Sequence, residues 1–99
     1  MSAAFVAGPH RAVDIIEHAA QLVGGDRQRQ HGDKRENMQN IADLWNAYLG
    51  AQLSSPITAE QVAWLNALQK IARTKSGTKN IDSAVDCCGY AGIAGELME

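Results

Sequence analysis

Asp82 and Asp86 stand one helical turn apart in the segment Asn80-Ile-Asp-Ser-Ala-Val-Asp-Cys-Cys-Gly-Tyr-Ala-Gly-Ile-Ala-Gly-Glu-Leu97, and the apolar stripe of that segment runs through Asp86 to Tyr90, Ile93 and Leu97. A carboxylate on the core side of a helix requires a partner, because an uncompensated buried charge is strongly destabilising. Two arrangements meet that requirement. Asp86 either pairs with a cation such as Lys70 or Arg73, or holds a divalent ion together with Asp82. Mg2+ coordinates a few carboxylates plus substrate phosphates, so one further acid would suffice, and Glu36, Asp43 and Glu17 are available. Lys70 and Arg73 lie three positions apart near the end of a largely apolar helix. Lysine offers a mobile point charge and arginine a planar fork suited to phosphate or carboxylate oxygens. The pair reads either as a neutralising partner for Asp86 or as a phosphate clamp, and one ion-pair network can serve both purposes.

Further candidates surround the turn His31-Gly32-Asp33. Gly32 lets the chain approach a ligand closely, and His31 titrates near neutrality. Asn37 falls on the expected core side of the helix that follows, where an amide must find partners; it and His31 either orient a ligand or an acidic side chain, or brace the loop. The Tyr90 hydroxyl lies one turn from Asp86. Trp45, Tyr48 and Trp64 read as core or subunit-interface residues. Cys87 and Cys88 are adjacent, so they point about 100° apart on a helix, match neither a disulfide nor a spaced zinc pair, and read as small packing residues.

Four helices must position these groups. Val13, Ile16, Ala20 and Val23 recur at helical spacing over about 11–23, and Gly24-Gly25 stops the pattern. Residues 26–35 contain no apolar side chain and read as a basic loop. A second helix is expected over 36–49, with Asn37, Ile41, Leu44, Trp45 and Tyr48 on its packed side and Gly50 beyond its end. Thr58 with Gln61 forms a capping box for a third helix reaching about Thr74. The apolar residues of that helix cover much of its circumference, as in a central element. The fourth helix covers about 82–98, and Gly89, Gly92 and Gly95 on it read as a stripe for close helix packing. The expected organisation is an irregular leader over 1–10 and one all-α bundle over 11–99.

Composition narrows the classes of function. The chain has 99 residues and a formal net charge of -2, which gives its surface no reason to bind extended nucleic acid. Neither a membrane span nor a secretory signal is expected, and a cytoplasmic location follows by default. The aromatic and alanine content of so short a chain points to a homo-dimer or tetramer.

Several separated segments, in order, resemble a group of small phage- or prophage-encoded all-helical proteins. They are Gly25-Asp-Arg27, His31-Gly-Asp33 with Glu36-Asn37, Ile41-Ala-Asp-Leu-Trp-Asn-Ala-Tyr-Leu-Gly50, Leu68-Gln-Lys-Ile-Ala-Arg73, and Asp82-Ser-Ala-Val-Asp-Cys-Cys-Gly-Tyr90. That group is similar in turn to the MazG-like nucleotide pyrophosphohydrolases, which bind Mg2+ through acids on two helices and split nucleoside triphosphates into monophosphate and pyrophosphate. The resemblance implies a MazG-like four-helix bundle and a nucleotide partner, with Mg2+ held by Asp82, Asp86, Glu36 and Asp43. Lys70 and Arg73, with Tyr90 nearby, would bind substrate and stabilise the leaving pyrophosphate, His31 would orient substrate or move a proton, and Asn37 would fix the acidic shell. The usual Glu-Glu-x-x-Glu element is not present, since amides replace the central acid between Glu36 and Asp43, and Asp82 to Asp86 is spaced by four where the family has three. The same chain without catalysis would be a nucleotide-binding or sequestering module, or a host-protein interaction module contacting its partner through the loop from Arg27 to Arg35.

Overall fold

A helix begins where side chains satisfy the free amides of its first turn, and each of the four described helices has such a start. The computed structural model describes residues 8–25, 33–77 and 79–99. It contains α1 (Ala12–Gly24), α2 (Lys34–Leu49), α3 (Ala59–Ala72) and α4 (Ile81–Leu97), with 3-10 turns at Gly50–Gln52 and Arg73–Lys75. No strand occurs among the described residues. At α1 the Asp14 carboxylate accepts the Arg11 backbone N–H at 3.0 Å and its guanidinium at 3.1 Å. The expected box at α3 is present: Thr58 Oγ1 accepts the Gln61 N–H at 3.1 Å and Gln61 Oε1 accepts the Thr58 N–H at 3.0 Å. Asn80 caps α4 by accepting the Asp82 N–H at 2.8 Å.

The start of α2 differs from expectation. The Asp33 carboxylate accepts the Arg35 N–H at 3.2 Å and α2 opens at Lys34, two positions before Glu36, because a capping aspartate stabilises the first turn whatever the charge density of the residues it carries. The other end is as expected: Gly50 takes a positive φ of 47° and its N–H bonds the Asn46 carbonyl. Asn46 then holds the following loop, donating from Nδ2 to the Ile57 carbonyl at 2.9 Å and accepting the Ile57 N–H at 2.7 Å. That clamp fixes where α3 begins relative to α2.

Packing runs in series: α1 lies on α4, α4 on α3, and α3 on α2. Met38, Ala42, Val62, Ala63, Ile93 and Ala94 form the buried core, with Trp45, Ile57, Tyr90 and Leu97 packed against it. Lys34 pairs with Glu96 at 3.8 Å, and Arg35 donates to the Glu96 carbonyl at 3.3 Å, tying the start of α2 to the end of α4. None of the described helices is long and apolar enough to cross a membrane.

Because α1 and α2 each rest mainly on one neighbour, each buries a narrower arc than its apolar residues occupy. On α1 the buried position is Ala19, and Val13 and Ile16 face outward. On α2 the buried residues are Met38 and Ala42, while Leu44 and Tyr48, expected on the packed side, are 70% and 87% exposed. The α3 circumference is likewise only partly covered, with Leu65, Leu68 and Ile71 exposed opposite the buried Val62, Ala63 and Ala67. The glycine stripe is also a single contact: a Cβ at Gly89 would stand 3.3 Å from Val23 Cγ2, whereas Gly92 and Gly95 have open space around theirs.

Two outcomes follow. Gly92→Ala removes a helix-interior glycine without a clash, and thermal unfolding should show stabilisation of about 1 kcal/mol, which is roughly 4–8 °C in a domain of this size; no rise would mean that the site is occupied by packing after all. The Arg11 hydrogen bonds hold the Asp14 carboxyl below its ordinary range and raise the Arg11 guanidinium. A depressed folded-state pKa contributes stability above the unfolded value and loses it as pH falls through the folded one. NMR Cα shifts of Ala12 to Ile15 should therefore lose helical character on acidification, and Asp14→Asn should show that reduced helicity already at neutral pH.

Candidate functional site

The short connection from Arg73 to Asn80 brings the last turns of α3 beside the first turns of α4, and the principal charges of the sequence meet there. Lys70 Nζ lies 3.2 Å from Asp86 Oδ2, with the two side chains 14% and 18% exposed. Of the two arrangements open to Asp86, the structure contains the ion pair. Its surroundings explain the distance: Ala67, Val85 and Gly89 are buried on the two helices, so neither charge could be held there alone at low cost.

The remaining candidate acids lie apart from this pair. Asp82 is exposed in the first turn of α4, where its charge favours the helix N-terminus. Glu36 is exposed in the first turn of α2, beside a shallow recess of about 430 Å³ that Asp33 and Gln39 also line. Asp43 accepts a hydrogen bond from Gln39 Nε2 at 2.9 Å on the outer side of α2, and Glu17 is exposed on α1. Among the described residues no three histidines, cysteines or acids converge on a point that could hold a metal ion. The expected set of Asp82, Asp86, Glu36 and Asp43 is thus not assembled within one chain, because the start of α2 meets α4 at its C-terminal end, beside Glu96 and Leu97, and not at the turns that carry Asp82 and Asp86. As a donor set for Mg2+ these side chains do not fit.

The other expected residues also separate. Arg73 is exposed on the 3-10 turn while Lys70 turns inward, so the cationic pair divides into one structural and one solvent-facing charge. Tyr90 is half-buried against the core, and Asn37 is half-buried on α2 with its N–H bonded to the Asp33 carbonyl at 2.9 Å. His31 and the loop segment 26–32 lie outside the described residues, as do residues 1–7 of the expected leader.

Beside the ion pair runs an open groove of about 660 Å³ between the end of α3 and the start of α4. Ile71, Ile81, Ala84 and Cys87 give it an apolar wall, and Lys70, Lys79, Thr74 and Ser83 bring polar groups to it. Sequence reasoning missed this site. The signal was present in the spacing of Asn80, Ser83, Ala84 and Cys87, which share one face of α4, but the more apolar stripe through Tyr90 and Ile93 drew the reading to another face. Both cysteines are free thiols, in accord with the expectation of no disulfide.

A family described as a domain of unknown function, DUF6378, matches residues 14–98. The chain is 37% identical over 86 residues to the Gene 55 protein of Mycobacterium phage L5, covering 87% of this chain and 53% of that protein. Identity to the Gene 55 protein of Mycobacterium phage D29 is 39% over 85 residues, covering 86% of this chain and 54% of that protein. The chain therefore spans about half the length of the curated relatives it matches. No solved structure matches it.

The ion pair has a measurable consequence. Lys70→Ala should destabilise the protein by about 3 kcal/mol, whereas Lys70→Met combined with Asp86→Leu, which removes both charges and keeps the volume, should recover most of that loss. Urea unfolding of the three proteins checks this, and a Lys70→Ala cost under about 0.5 kcal/mol would assign the pair to the ordinary surface class.

Proposed function

We propose a function from one premise: the chain belongs to the DUF6378 family, and it is homologous to phage gene products. It binds a nucleotide through the phosphates, at the groove where α3 ends and α4 begins. The observation that carries this reading is the Lys70–Asp86 pair at the groove wall. A lysine held by a carboxylate keeps its position, and an ammonium has three donors, so a phosphate oxygen can share it without displacing Asp86. Arg73, exposed on the following 3-10 turn and outside the groove lining, is the second cation we assign to the phosphates. The partners are therefore anionic small molecules, in keeping with a chain whose net charge of -2 does not favour extended nucleic acid.

Hydrolysis of a nucleoside triphosphate to monophosphate and pyrophosphate, as in MazG-like enzymes, is the second reading. It is favoured by one feature: Asp82 and Asp86 share a face of α4, with Asp82 exposed. That reading would require Mg2+ to arrive with the nucleotide, since Asp82, Asp86, Glu36 and Asp43 form no donor set for it, and the ion would supply neutralisation of phosphate charge. His31 and Asn37 then order the substrate and the acidic shell, and Tyr90 supports Asp86. A sequestering or host-protein interaction module needs none of these groups and would act in the cytoplasm of the infected host. The exposed Leu44, Tyr48 and Leu68 support association of the chain into a dimer or tetramer.

Calorimetry with canonical and modified dNTPs, with and without Mg2+, separates these readings, and chromatography of the products separates binding from turnover. Binding without pyrophosphate release is the expected result; absence of affinity across the panel would leave the interaction module. Arg73→Ala should weaken nucleotide binding by about 1.5–3 kcal/mol while shifting unfolding by less than about 0.5 kcal/mol, because Arg73 is exposed. Light scattering should give a mass that is a multiple of 10.6 kDa, and a monomer at micromolar concentration would overturn the association.

A further inference from the structure

The groove at the α3–α4 junction is unlike a site built for bare phosphate. Its wall is mainly apolar, supplied by Ile71, Ile81, Ala84 and Cys87, and its polar groups are amines, hydroxyls and an amide. Among the described residues no carboxylate lines it, although the chain as a whole carries a net charge of -2. Of the two lysines in the wall Lys70 is already paired with Asp86, so it is the exposed Lys79 that draws anions to the groove. The volume of about 660 Å³ falls in the range of roughly 300–1,000 Å³ found for small-molecule sites, where apolar lining with a few polar groups fixes orientation.

We propose that this groove receives the ring of an aromatic organic phosphate, with the phosphate at Lys79 and Ser83 and the ring against Ile71, Ile81, Ala84 and Cys87. The inference deepens the nucleotide reading and rests on it for the presence of a phosphate, adding Lys79 and Ser83 to Lys70 as the polar groups of the groove that meet it. It goes further in naming the ligand class, an aryl or nucleoside phosphate in preference to inorganic phosphate or pyrophosphate, and in giving Cys87 a place under the ring. Apolar contact and charge each contribute part of the affinity, so neither half of such a ligand binds well alone. The thiol is a reporter built into the wall: Cys87 and Cys88 are the chain's two cysteines, so Cys88→Ala leaves Cys87 as its single thiol.

The test measures alkylation of Cys87 by N-ethylmaleimide in the Cys88→Ala protein, followed by mass spectrometry. Saturating 1-naphthyl phosphate should slow labelling about tenfold or more, while 1-naphthol or inorganic phosphate at the same concentration should slow it less than about twofold. Ala84→Phe, which fills the groove from an exposed position, and Lys79→Glu, which reverses its charge at another, should each abolish the protection while the circular dichroism spectrum is unchanged. Equal protection by inorganic phosphate, or none by 1-naphthyl phosphate, overturns the proposal. Nucleotide binding in calorimetry with Cys87 labelling unaffected also overturns it, leaving the nucleotide site elsewhere. Protection by 1-naphthyl phosphate without affinity for any nucleotide supports the groove and removes the nucleotide reading.

Discussion

The contact on which the rest of this structure depends is the ion pair between Lys70 and Asp86, 3.2 Å apart across α3 and α4. The two helices meet through small side chains, Ala63, Ala67, Val85 and Ala94, with Gly89 on the α1 side of α4. Small residues let helix axes approach but bury little apolar area each, so many sliding positions would be similar in energy. Two opposite charges that must find each other in a mostly dry interface are not tolerant of sliding, since a shift of one residue would separate them and leave both poorly solvated. The pair thereby sets the register of α3 against α4, and with it the shape of the groove at their junction.

That register has a chemical consequence. A carboxylate committed to an internal ammonium is not presented to a metal ion in the way an exposed acid is, and among the described residues no three acids, histidines or cysteines gather at one point. What the junction offers instead is a cation fixed by Asp86 beside an apolar wall. Such an arrangement favours recognition of an anion over assembly of a multi-metal centre, and it makes the nucleotide-binding reading the economical one for a chain that lacks part of the MazG-like acid pattern.

The serial packing of α1 on α4, α4 on α3 and α3 on α2 explains the outer surface. In a closed four-helix bundle each helix has two neighbours and buries a wide arc. Here the terminal members of the series have one main neighbour each, and Ile16, Leu44 and Tyr48 are left facing outward. Their helices were designed by sequence to be covered on more than one side, so the apolar flanks are as much a property of the fold as the core is.

Local signals were legible in the sequence because they act over a few residues. The Thr58–Gln61 box, the stop at Gly50 and the placement of Asp86 on a packed stripe all depend on spacing along one helix, and all appear in the structure. Asp33 was equally local but was obscured by the charged residues around it. By itself, then, the sequence determined that the chain is helical, where three of the four described helices begin or end, and that Asp86 would need a partner. Only the tertiary structure decided that the partner is Lys70, that Leu44 and Tyr48 face outward, that Gly89 alone of the glycine stripe makes a close contact, and that Lys79 and Cys87 share a groove. Each of these depends on which helix lies against which face, a matter of long-range packing in which several pairings of amphipathic helices satisfy the same periodicity.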